Sequence, residues 1–132
     1  MNKLKSFIPL LIVAINALAI LGQWSSLSES LPAHYDLQGN ASGTMPRSIL
    51  LIYLLIGVAI CLITSVIARV KPQLQSGLII LSSGVCLVLF LSSLVTLTSG
   101  TMPIFMLAEP VVLLVAIVCF AICVVKSRKN IR

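Results

Sequence analysis

The chain has 132 residues, of which 59% are hydrophobic and only 9% are charged. A water-soluble domain is about half apolar and about a quarter charged, so this composition, with a mean hydropathy of +1.17, indicates a protein whose solvent is lipid. Nine Lys and Arg side chains outnumber three acids, but the basic residues lie at the ends of apolar stretches and are not gathered on one surface. This distribution argues against nucleic acid as a partner and indicates the topology signals of a membrane protein.

Four apolar segments are each long enough to cross a bilayer, since a span needs roughly 20 apolar residues that rise about 1.5 Å each. Lipid offers the backbone no hydrogen-bond partner, so each segment is predicted to be a helix. The predicted helices cover residues 7–24, 48–68, 77–97 and 103–125. We therefore expect an all-α integral membrane protein in which residues 1–132 form a single membrane domain, a four-transmembrane-helix bundle.

The positions of the basic residues predict the orientation of these helices. Eight of the nine fall on one side of the predicted spans, namely Lys3, Lys5, Arg69, Lys71, Lys126, Arg128, Lys129 and Arg132. The positive-inside rule assigns that side to the cytoplasm. Both termini are therefore predicted to be cytoplasmic, and residues 25–47 are predicted to form an extracytoplasmic loop in which Arg47 is the one basic residue.

The outer loop carries most of the polar chemistry of the sequence. It contains the only histidine, His34, and two of the three acids, Glu29 and Asp36. A spacing of two would place His34 and Asp36 on one face of an extended strand, while Gly39 and Gly43 permit tight turns. We expect an ordered loop, either a hairpin or a compact cap on the membrane surface.

Two interpretations of His34 and Asp36 remain open at this stage. Imidazole and carboxylate groups bind divalent metals, and a histidine titrates near physiological pH, so the pair could form a metal-sensitive or proton-sensitive site. However, the residues do not form a spaced ligand cluster, which favours a structural histidine bonded to the loop backbone. No metal or other cofactor is predicted.

Two polar residues interrupt the apolar segments. Glu109 lies about six residues, or roughly 9 Å, below the outer end of the fourth helix, where an ionisable group must face a partner or water. Arg47, Asn16 and the loop above are its predicted partners, and Pro110 beside it is expected to disturb the helix locally. Asn16 in the first helix is predicted to form an interhelical hydrogen bond.

The sequence contains no assembled catalytic motif. It lacks a Gly-rich phosphate loop, an HExxH sequence and a paired-carboxylate motif, and the only base for a serine nucleophile is His34, outside the membrane plane. A stripe of small residues in the third helix is predicted to pack against other helices; it comprises Ser82, Cys86, Ser93 and Thr96. We therefore expect a protein that is not an enzyme.

Around the outer loop the sequence resembles a bacterial membrane family, the domain of unknown function sixteen forty-eight, which also forms the N-terminal part of Sdp-type toxin-immunity membrane proteins. The family combines a helix, an aromatic residue, a loop with Leu-Pro and His-aromatic pairs, glycines, and a basic residue that opens the next helix. The matching positions here are Trp24, Leu31, Pro32, His34, Tyr35, Gly39, Gly43 and Arg47. Ser42 stands where the family has Asp, and Thr44 stands where it commonly has an aromatic residue. The resemblance covers about a third of the chain.

The resemblance implies a multi-pass protein of the bacterial plasma (inner) membrane that protects against, or senses, a membrane-active peptide or envelope stress. Its partners would then be the lipid bilayer and a toxin peptide or another membrane protein. Two alternatives remain open. One is a small ion-coupled transporter or channel subunit that uses Glu109 and assembles as a homo-oligomer, and the other is a membrane enzyme accessory.

Overall fold

The computed structural model describes residues 3–36, 38, 40–98 and 103–129, which form four long apolar helices and one small β-hairpin. Each helix is long and apolar enough to cross a membrane, which indicates a multi-pass membrane protein. In chain order the elements are α1 (Ile8–Gln23), β1 (Ser30–Tyr35), β2 (Ala41–Pro46), α2 (Ile49–Val70), α3 (Gln75–Leu97) and α4 (Pro103–Lys129). The two strands lie between the first two helices, where the sequence predicts an ordered loop.

The helices extend beyond the predicted spans mainly at the end that carries the basic residues. α2 continues to Val70 and α4 continues to Lys129, because a helix does not stop where the hydrocarbon ends and basic side chains in the last turn complement the helix dipole. α3 begins at Gln75, directly after a short 3-10 turn over Pro72–Leu74. α4 runs without interruption through Pro110.

α3 is the central helix, since it contacts α1, α2 and α4. The small-residue stripe predicted to pack is buried, and three of its hydroxyls donate to carbonyl oxygens four residues earlier in α3. Each hydroxyl is therefore satisfied within its own helix, and the stripe can face apolar neighbours without leaving a polar group unpaired.

α4 packs closely against α3 at one point. A Cβ atom added at Gly84 would collide with the Cβ atom of Ala116, so the two backbones approach more closely than any larger residue would permit. Ala116 is only 4% exposed, whereas most of the large apolar side chains of α4 face outward. Small residues at such a contact are characteristic of helix pairs in membranes, where packing drives association.

The hairpin is antiparallel and packs onto the helix ends below it. Leu31 pairs with Met45 and Tyr35 pairs with Ala41. The buried side chain of Leu31 packs with Ile20 of α1 and Leu50 of α2. This apolar contact attaches the hairpin to the four-helix unit.

Candidate functional site

A cavity of about 310 Å³ lies between the hairpin and the helix ends beneath it. The hairpin forms its roof and α2, α3 and α4 form its floor. The lining residues are Ala33, His34, Tyr35, Met45, Tyr53, Ser92, Val95, Thr96 and Glu109. Polar atoms make up most of its accessible lining, and it contains the one acidic residue of the helices.

Glu109 defines the electrostatics of this cavity. It lies in the second turn of α4 and is half-buried, and the hydroxyl of Ser92 on α3 lies within hydrogen-bonding reach of its carboxylate. Tyr53 of α2 is close enough for the carboxylate to act on its phenol electrostatically. Three helices thus place polar groups around one carboxylate at a depth where a negative charge requires such partners.

Tyr35 extends from the roof to the same cavity. Its phenolic oxygen is buried and finds no hydrogen-bond partner among the described residues. Burial raises the pKa of the Tyr35 phenol above its ordinary value of 10.0, so the side chain is neutral at physiological pH. The site therefore contains an aromatic ring and a hydroxyl oxygen that a bound molecule could use.

The roof is held at its tip by Asp36. Its Oδ1 atom accepts hydrogen bonds from the backbone N–H groups of Gln38 (2.9 Å) and Asn40 (2.8 Å), and its Oδ2 atom accepts a bond from Nδ2 of Asn40 (2.8 Å). These bonds close the turn between the strands, which is a frequent role of aspartate in loops. Asp36 thus positions the hairpin and does not line the cavity.

The base of the roof is held by Arg47. Its guanidinium group lies over the ring of Trp24, 4.8 Å from the centroid, and donates hydrogen bonds to the carbonyl oxygens of Trp24 and Leu27, each at 3.3 Å. The backbone N–H of Arg47 also donates to the carbonyl oxygen of Glu29 at 3.0 Å. Arg47 thereby joins the start of α2 to the end of α1. It does not line the cavity, and no ion pair joins it to Glu109 among the described residues, so the predicted partnership of the two side chains is not formed.

Gly43 has a structural role that only glycine fills without strain. It adopts φ +69°, the left-handed region, in the middle of β2. A Cβ atom there would lie 3.6 Å from Cβ of Ala33 on the facing strand. The sequence predicts a tight turn at this residue, whereas the structure uses its conformation inside the strand.

The remaining predicted residues are dispersed. His34 is exposed at the edge of the cavity and Pro32 lies in β1, outside the cavity lining. Asn16 is 2% exposed in α1, and its Oδ1 atom has no hydrogen-bond partner in the described part of the chain, so the predicted interhelical bond to that atom is not formed there. Gly39 lies outside the described residues.

The pairing of His34 and Asp36 on one strand face is not formed, because β1 ends at Tyr35 and the Asp36 carboxylate is bonded to the turn. Across the described ranges, no three His, Cys, Asp or Glu side chains are grouped closely enough to hold a metal ion. The acidic group of the cavity comes from α4 instead, more than seventy residues further along the chain.

Sequence reasoning missed Tyr53 and Ser92 as parts of the site. Two signals were available. Tyr53 is one of only two tyrosines and lies in the first turns of α2, close to the outer end, and Ser92 is one helical turn before Thr96 on α3. Neither signal shows which way a helix is rotated, so the sequence alone could not assign these residues to Glu109.

Residues 10–60 match the family model described as Domain of unknown function (DUF1648). The match extends from α1 through the hairpin into the first half of α2, and so includes the whole roof of the cavity together with Tyr53. Neither a curated protein nor a solved structure matches the chain significantly.

Proposed function

We propose that this chain, whose residues 10–60 form a DUF1648 domain, is a non-enzymatic protein of the bacterial plasma membrane that recognises the cationic group of an extracytoplasmic peptide. The observation that carries the proposal is Glu109 in the cavity beneath the hairpin. Its carboxylate has a hydroxyl neighbour in Ser92, while no Lys or Arg side chain lines the described cavity.

A half-buried carboxylate without a basic neighbour favours a cation as its partner. An ammonium or guanidinium group at this position would form a charge-assisted hydrogen bond, which contributes about 1.5 to 3 kcal/mol. The rings of Tyr35 and Tyr53 border the same space and provide faces on which a cation is attracted. The cavity therefore fits a Lys or Arg side chain, or the amino terminus of a peptide.

The orientation that this proposal requires rests on the distribution of charge. Among the described residues, seven basic side chains lie at the helix ends opposite the hairpin, and the positive-inside rule assigns those ends to the cytoplasm. The hairpin and the cavity would then face the extracytoplasmic side, where a membrane-active peptide arrives. The resemblance to the Sdp-type immunity proteins supports the same role, namely protection against such a peptide or detection of it.

The proposal is tested by peptide binding to the purified full chain in lipid nanodiscs. The probe is a short amphipathic peptide of Leu and Lys, and the comparison is a peptide of the same length with Glu in place of Lys. Glu109→Gln should weaken binding of the basic peptide by about tenfold to a hundredfold, which corresponds to one charge-assisted hydrogen bond.

Glu29→Gln is the matched control, because Glu29 is an exposed acid at the base of the hairpin and does not line the cavity. It should change the dissociation constant by less than about threefold, the effect of a screened surface charge. Equal losses in the two variants would assign the binding to general surface charge and overturn the proposal. Loss of protection against a membrane-active peptide in Glu109→Gln cells would extend the result to the living membrane.

The alternative of ion-coupled transport through Glu109 makes a different prediction. Cation flux into proteoliposomes should then depend on the intact chain and cease in Glu109→Gln. A buried cluster of Val13, Cys61 and Cys86 lies between the levels of the outer cavity and the opposite helix ends, which favours recognition over passage. An absence of cation flux with the native chain would rule out the transport hypothesis.

A further inference from the structure

A second cavity, of about 340 Å³, lies at the helix ends opposite the hairpin. The beginning of α1 and the second half of α2 form its sides, and the first turns of α3 form its floor. At its mouth, Nε2 of Gln75 donates a hydrogen bond to Oγ of Ser6 at 3.4 Å, and Arg69 in the last turn of α2 borders the opening. Its volume is that of a site for part of a small molecule or for a lipid tail.

The walls of this cavity are effectively apolar, although several hydroxyls line it. Three of these hydroxyls donate to the backbone carbonyl oxygen four residues earlier in the same helix. The distances are 2.7 Å from Thr64 to Ile60, 2.6 Å from Ser65 to Cys61 and 2.7 Å from Ser82 to Leu78. These bonds stay within the helices and use the hydroxyl protons. The interior therefore presents hydrocarbon and satisfied oxygens, which suit an alkyl chain better than a polar solute.

The mouth of the cavity carries positive charge. Arg69 borders it directly, and the N-terminus of α3, which carries a partial positive charge, lies there with Gln75. All three acids of the chain, Glu29, Asp36 and Glu109, lie in the hairpin or towards the helix ends that carry it. An apolar interior below a basic rim without acidic residues is complementary to an anionic amphiphile.

We infer that this cavity binds an anionic phospholipid, with part of one acyl chain in the interior and the headgroup phosphate at Arg69. A guanidinium group pairs with phosphate through two parallel hydrogen bonds, so Arg69 would select the headgroup as well as attract it. The lipid would fill the space between α1 and α2 and hold their ends together. This inference concerns a different cavity from the peptide site and does not depend on it.

The test is competition between two lipids for the purified full chain in detergent, measured by native mass spectrometry. Phosphatidylglycerol and diacylglycerol with identical acyl chains are added at equal concentration, so that the contribution of the tails cancels and that of the phosphate remains. The native chain should retain the anionic lipid preferentially. Arg69→Gln should reduce that preference by about tenfold or more, since it removes hydrogen bonds to a charged group.

Lys71→Gln is the matched control, because Lys71 follows α2 by one residue but does not line the cavity. Removing its charge should reduce the preference by about fivefold at most, the contribution of one basic residue near an anionic surface. A second variant, Ala68→Phe, places a ring in the interior and should lower retention of both lipids while the chain remains folded. Equal effects of Arg69→Gln and Lys71→Gln, or retention unaffected by Ala68→Phe, would overturn the inference.

Glycerol phosphate, which carries the same phosphate without a tail, separates a lipid site from a phosphate site. It should not displace the bound lipid at concentrations comparable to those of the lipid. Displacement by glycerol phosphate would show that the cavity mouth binds a free phosphate, and would contradict the role assigned to the acyl chain.

Discussion

Replacing Gly84 with alanine tests how α4 is held against α3. The added Cβ atom would collide with Cβ of Ala116 and would lie 3.6 Å from its Cα atom, so the helices must separate or shift. Overpacking of this kind costs about 1 to 3 kcal/mol. Alanine also favours the helix over glycine by about 1 kcal/mol, which offsets part of that cost. We expect Gly84→Ala to lower the free energy of unfolding by up to about 2 kcal/mol, and to be about 1 to 3 kcal/mol less stable than a Gly→Ala variant that meets no neighbour.

The assay is reversible unfolding of the purified chain in mixed micelles, followed by circular dichroism as denaturing detergent is added. Gly22→Ala is the control, because nothing lies within 4 Å of a Cβ atom at Gly22. That variant should be neutral or slightly more stable. The difference between the two variants then isolates the collision from the intrinsic preference of alanine for the helix.

A second substitution shows whether Ala116 is the group responsible. Ala116→Gly removes the methyl group that the new side chain would meet, so the double variant should be more stable than the two single effects predict, by about 0.5 to 3 kcal/mol. Additive effects, or a Gly84→Ala variant as stable as Gly22→Ala, would refute the assigned contact. Because α4 also carries Glu109, the same displacement should weaken binding of the basic peptide.

Two further predictions concern the hairpin. Arg47→Gln removes the contact at 4.8 Å over the Trp24 ring and two hydrogen bonds to backbone carbonyl oxygens. The fluorescence of Trp24, the only tryptophan, should therefore change more in this variant than in Arg47→Lys, which keeps the positive charge. Identical fluorescence spectra of the two variants would contradict the contact between Arg47 and Trp24. In Tyr53→Phe the remaining tyrosine is Tyr35, and its phenolate absorbance should titrate above pH 10.0, because burial raises its pKa. The pKa of Tyr35 is higher in the folded state than in the unfolded state. The stability that Tyr35 contributes should therefore be complete below pH 10.0 and lost as the pH rises through the raised pKa. A titration midpoint at the ordinary pKa would show that the phenol is solvated and would contradict its burial.

The helices could be predicted because the bilayer leaves a long apolar segment almost no other structure. An ordered outer loop was also predictable from Pro32 and the glycines. The strand register was not, because it depends on the left-handed conformation of Gly43 and on the bonds that Asp36 makes within the turn. Both features depend on tertiary structure, and the same residue types are compatible with several other loop conformations.

The candidate site was likewise predictable only in part from the sequence. Glu109 could be singled out because a carboxylate at its depth must find polar neighbours. Its actual neighbours, Ser92 and Tyr53, depend on how α2 and α3 are rotated about their axes, and Arg47 is drawn away by Trp24. A pattern of apolar residues around almost every face of these helices carries too little information to fix that rotation.

The matched domain ends at residue 60, within α2, whereas the outer cavity draws on the chain on both sides of that boundary. Residues 33–35, 45 and 53 supply its roof and one wall, and Ser92, Thr96 and Glu109 complete it from outside the domain. If the cavity binds a peptide as proposed, its selectivity would depend on residues outside the matched domain as well as on those within it. The matched domain would then cover the binding space, and Ser92, Thr96 and Glu109 would contribute the polar groups beneath it.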